Sequence, residues 1–156
     1  MIYNEAQFNQ MYQEAIKNAV DYVTEKVLEK YGQYIERYVY KGYKPVVYER
    51  TGDFKSSLTS EELTERLGGA SRIYQDTEKM EYNPQEYQHG SPISGDVRDS
   101  LAKILYEGLT GPLFGDGEWR KARDAWTPLI ERLDHKLVET WFIQGMAKQG
   151  INVKRR

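Results

Sequence analysis

Between Phe8 and Ile35 an apolar side chain recurs every three or four residues, at Phe8, Met11, Tyr12, Ala15, Ala19, Val20, Val23, Val27, Tyr31 and Ile35. That spacing draws one stripe down a helix and does not fit the two-residue alternation of a half-buried strand. Asn4 stands ahead of the stripe with Gln7 three residues on, a pattern that lets two side chains satisfy the first free amides reciprocally. The spacing predicts a helix from Glu5 to Tyr38, with Gly32 as a place to bend. It must stop before Pro45, which has no amide hydrogen to give and disfavours helix in the residue ahead of it.

Beyond it the signals are shorter. Thr51-Gly52-Asp53 is expected to open a helical turn reaching Leu58, with the Thr51 or Asp53 side chain capping its first amides. From Thr59 to Glu86 the period weakens, and turn residues at Gly68-Gly69 and Asn83-Pro84 punctuate a stretch expected to form a small antiparallel sheet. His89 to Gly95 reads as loop, and Ser94 is expected to cap a helix carrying Val97, Leu101, Ile104 and Leu105 and ending at Gly108. A glycine-rich loop runs on to Gly117. The last helix is expected to take Thr127 as cap and Pro128 as first helical residue, to bury Leu129 through Met146 at three and four spacing, and to end at Gly150. The predicted fold class is therefore α+β. A long N-terminal helix, a small antiparallel sheet, an additional helix and a C-terminal amphipathic helix packed on the sheet make one domain of residues 1–156.

Composition narrows the function. The 156 residues hold no cysteine, which removes disulfides and thiolate zinc sites and fits folding in a reducing cytoplasm. No apolar stretch approaches a membrane span, and Met1-Ile2-Tyr3-Asn4-Glu5 lacks the features of a signal peptide, so the expectation is a chain that is neither exported nor membrane-bound. Lys plus Arg number 22 against 24 Asp plus Glu, a balance that gives nucleic acid no chain-wide attraction. Of 13 tyrosines, 9 fall between Tyr3 and Tyr48, which suits either extensive interfaces or an amphipathic boundary inside the fold.

Patterns that carry chemistry are absent or weak. Neither a nucleophile elbow nor a dinucleotide fingerprint occurs, and Gly111-Pro112-Leu113-Phe114-Gly115-Asp116-Gly117 lacks the Lys-Ser/Thr pair that would hold phosphate and magnesium. His89 and His135 are 46 residues apart and form no metal-binding pair, so no metal or cofactor is expected. Glu61-Glu62 and Asp96-Asp99 read as acidic residues near helix starts rather than as general acids. The run Trp119-Arg120-Lys121-Ala122-Arg123-Asp124-Ala125-Trp126 interleaves cations with indoles as single-stranded nucleic acid would need, but Glu118 and Asp124 interrupt it.

Three segments, in order, resemble the small head-tail joining, or tail-completion, proteins of long-tailed bacteriophages. They are Pro45-Val46-Val47-Tyr48-Glu49-Arg50-Thr51-Gly52-Asp53-Phe54-Lys55-Ser56-Ser57-Leu58, the Gly95 to Gly108 helix before a glycine-rich loop, and Ala122-Arg123-Asp124-Ala125-Trp126-Thr127-Pro128. In that family an Arg-Pro-Phe/Trp-x-x-Pro type signal announces the last helix; here Asp124 stands in the second position. The resemblance implies a non-enzymatic virion protein of the phage neck, assembled in the host cytoplasm. It further implies a homo-oligomeric, hexameric ring between the head connector or adaptor and the tail terminator or tail tube. Arg50, Thr51, Gly52 and Asp53 are then a structural turn. Interface candidates are Phe114 and Trp119, aromatic anchors at loop tips, with the neighbouring cations Arg120 and Arg123. Two further readings are a DNA-binding or DNA-proximal accessory protein and a minor head or tail structural protein; an enzyme would need a carboxylate cluster that only the fold assembles.

Overall fold

A computed structural model describes residues 4–42, 52–63, 69–81, 98–109 and 121–154. Five α-helices lie among them: α1 Glu5–Tyr34, α2 Asp53–Ser56, α3 Arg98–Glu107, α4 Trp126–Arg132 and α5 His135–Lys148. Two strands, β1 Leu58–Glu62 and β2 Ser71–Gln75, pair as a two-stranded antiparallel sheet, and the α+β class holds.

α1 begins as its sequence requires. The Gln7 amide donates to Asn4 Oδ1 at 2.8 Å and the Asn4 amide donates to Gln7 Oε1 at 3.2 Å, closing the reciprocal cap. The other end differs from expectation. Gly32 lies within regular α1, and the change comes afterwards, where Ile35–Tyr40 opens into a π-helical turn and the Lys41 amide reaches back five residues to Glu36 O at 2.9 Å. Ile35 and Val39 are buried on this turn.

Register in the sheet is fixed at both ends, by the Leu63 amide on Ala70 O and the Asp76 amide on Ser57 O, each 2.8 Å. That register sets Glu61 opposite Arg72, whose side chains meet at 3.4 Å. Glu61 and Glu62 thus end a strand rather than starting a helix, and Glu62 pairs with Lys17 at 3.0 Å.

The expected single C-terminal helix is two. Asp134 adopts an extended backbone and accepts the Leu137 amide on its Oδ1 at 2.7 Å, so it caps α5. The cap of α4 is Asp124, not Thr127: its Oδ1 accepts the Trp126 amide at 2.7 Å and the Thr127 amide at 3.1 Å. Pro128 follows in the first turn, where its missing amide hydrogen costs nothing. Past α5, Gly150 takes φ +77°, with its amide on Ala147 O and the Ile151 amide on Met146 O, a Schellman closure.

The chain divides into two compact units. The first comprises Met1–Lys30, Ser60–Tyr74 and Ile130–Arg156. Its core is Ala15, Ala19 and Met146, with Ile16, Phe142 and Ile151 packed against them. Gly145 explains the alanines: a Cβ there would sit 2.8 Å from Ala19 Cα, so α5 and α1 approach at the closest distance that small residues allow. The second unit comprises Tyr31–Thr59 and Gln75–Leu129. Among its described residues, Tyr31, Gly32, Ile35, Val39, Phe54, Ser57, Met80, Leu105, Ala125 and Leu129 are buried.

Candidate assembly surface

In the second unit, α1 and α3 meet through two phenols. Tyr31 and Tyr106 share a hydrogen bond of 2.6 Å, the Phe54 ring stands edge-on to Tyr106 at 6.0 Å, and the Trp126 indole lies 5.4 Å from the Tyr31 ring. Burial pushes both phenols above their ordinary ionisation range. For Tyr106 the hydrogen bond to Tyr31 pushes the same way, and the nearby Asp124 charge adds to both. Asp124 behaves oppositely. Its partial burial alone would raise it, but the Thr127 hydroxyl and the Thr127 and Trp126 amides bind the carboxylate and hold it below the usual range. One face of Trp126 is thus pinned while 44% of the residue stays exposed, the arrangement of an aromatic anchor.

A shallow groove of about 540 Å³ opens in the same unit, lined by Glu36, Tyr40, Gly52, Lys55 and Ser56. Gly52 has φ +86°, the left-handed backbone for which glycine was expected in this turn. Asp53 does not cap α2. It is the first helical residue, and its Oδ2 instead accepts the Glu81 amide at 3.2 Å, fastening α2 to the chain that follows β2.

Among the described residues, the first unit carries the largest group of exposed large apolar side chains on a single helix. Phe8, Met11 and Tyr12 are 47%, 41% and 38% exposed, and the Phe8 and Tyr12 rings pack 4.9 Å apart across one turn. They continue the face that is covered from Ala15 onward. The sequence stripe gave all of these positions one role, and the structure splits it. The signal for the split is the change from large side chains to alanine at 15 and 19, where α5 demands small ones.

Of the interface candidates, Phe114, Trp119 and Arg120 lie outside the described residues, as do Arg50 and Thr51 in the structural turn. Arg123 is half-buried, and its amide donates to Leu105 O at 2.7 Å, joining the end of α3 to the approach to α4. His135 is exposed at the start of α5, and His89 lies outside the described residues. Among the described residues no three His, Cys, Asp or Glu side chains gather to hold a metal ion, and no helix is long and apolar enough to cross a membrane.

Residues 4–151 match the family model YomN. The chain belongs to the YomN family. That family is phage-derived, of the Bacillus phage SPBc2 prophage type, and the phage setting expected from the three sequence segments holds at this level. No curated protein and no solved structure matches the chain. The matched span of this YomN family member runs from the Asn4 cap of α1 to Ile151 in the closure of α5, and so takes in every described helix and strand.

Proposed function

We propose that the chain is a structural subunit of the phage neck, which joins head to tail by binding neighbouring proteins and catalyses nothing. What carries this reading is the order of its segments within a phage-derived family: the Pro45 to Leu58 stretch, the helix closed by Gly108, and the Ala122 to Pro128 opening of α4. Copies of the chain close into a ring between the head connector or adaptor and the tail terminator or tail tube, in the virion neck. Such a ring needs two different surfaces per subunit, because a head-to-tail contact closes only when unlike patches meet. Exposed aromatic and aliphatic side chains of the kind seen at Phe8, Met11, Tyr12 and Trp126 suit those contacts.

The DNA-proximal reading loses ground on local chemistry. In the described part of the basic run, residues 121–126, Ala125 is buried, Arg123 is half-buried and Asp124 is held ionised, so the segment presents a carboxylate where phosphate would have to approach.

Mass photometry of the purified chain, alone and with connector proteins of the same phage at two salt concentrations, tests the proposal. A ring-sized species, or co-assembly little changed by salt, is expected. A monomer that ignores every connector and shifts only on DNA at low salt would overturn it in favour of the DNA-proximal reading.

A further inference from the structure

We propose that the π-helical turn Ile35–Tyr40 is a register switch, and that Lys55 is its latch. A π turn is rare, and a helix end keeps one where the surrounding structure over-determines it. The widened hydrogen bond here runs from the Lys41 amide to Glu36 O at 2.9 Å. Lys55 contacts two residues of the turn, Glu36 at the acceptor end of that bond and Tyr40, the residue before its donor. Its ammonium lies 3.4 Å from the Glu36 carboxylate, and its backbone amide donates to the Tyr40 hydroxyl at 3.0 Å.

Both contacts come from α2, a helix of 4 residues. Were the turn to tighten into α register, the Lys41 amide would move from Glu36 O to Arg37 O. Tyr40 would then rotate away from the Lys55 amide. The two registers therefore differ in their contacts with Lys55, which is what lets anything that displaces Lys55 bias one against the other. The latch is reachable from solvent: the Lys55 and Glu36 side chains are 45% and 39% exposed, whereas Ile35 and Val39 on the same turn are buried.

The test is solution NMR of the full chain, reading scalar couplings through hydrogen bonds. In the native sequence the Lys41 amide nitrogen should couple to the Glu36 carbonyl carbon. In Tyr40→Phe with Lys55→Met it should couple to the Arg37 carbonyl carbon instead. Coupling to Glu36 that persists in this folded double variant would overturn the proposal, as would coupling to Arg37 in the native sequence. Lys55→Met alone, at an exposed side chain, serves if the double variant fails to fold. Loss of one net hydrogen-bond equivalent should speed hydrogen exchange at the Lys41 amide about fivefold, and an unchanged rate would also refute the latch.

Discussion

Single side chains decide where this fold is tied together. Asp124 is one: it stands where the resembling family has proline, and it caps α4 through two amides. Asp124→Ala should cost about 1 kcal/mol in a urea titration at neutral pH. The sign of its pH dependence follows from a folded-state ionisation below the ordinary value of 3.8. Such a group stabilises the fold above that value and ceases to do so as pH falls through its folded value, so the gap between the native chain and Asp124→Asn should close in acid. The tyrosine pair has the opposite sign. Raised phenols favour the fold fully below their unfolded value of about 10 and progressively less as pH climbs beyond it. Denaturant midpoints measured from pH 9 to 12 should fall more steeply for the native chain than for Tyr31→Phe with Tyr106→Phe. Tyr106→Phe alone leaves the Tyr31 hydroxyl buried without its partner's oxygen and should cost about 1–2 kcal/mol.

At the scale of elements, what could be read from sequence was what local chemistry dictates. The Asn4-Gln7 cap, the positive φ of Gly69 between the two strands, and the ends of α3 at Gly108 and α5 at Gly150 all follow from residues adjacent in the chain. What could not be read depends on distant partners. The π turn is met by Lys55, nineteen residues from Glu36, and the Asp53 carboxylate is claimed by the Glu81 amide rather than by its own helix. Asp134 falls inside the expected last helix, and periodicity alone does not tell a cap from a solvated face. The contact of α5 with α1 gives the sharpest test at this scale. Gly145→Ala places a methyl 2.8 Å from Ala19 Cα, on backbone that cannot swing aside, and should destabilise by about 1–3 kcal/mol. Gly150→Ala meets nothing within 4 Å but forces φ +77° on an L side chain, and about 1–2 kcal/mol should be lost there through the backbone alone.

For the whole molecule, the class of fold and the phage setting were legible, while the surface that meets other proteins was only partly so. The stripe that names Phe8, Met11 and Tyr12 as core residues leaves them exposed, since nothing in the sequence says how far along α1 the cover from α5 extends. If these side chains serve assembly, Phe8→Asp with Tyr12→Asp should leave the urea midpoint within about 0.5 kcal/mol of the native chain, as exposed changes do, while weakening association in mass photometry. The neck assignment itself is tested most directly in the phage. The gene for this chain would be deleted from the encoding phage or prophage, lysis induced, and the particles viewed by electron microscopy with and without the chain supplied in trans. Filled heads and finished tails lying apart, and joined again when the chain is restored, is the outcome expected of a neck subunit; complete virions without the chain, or a failure to form heads or tails at all, would contradict it.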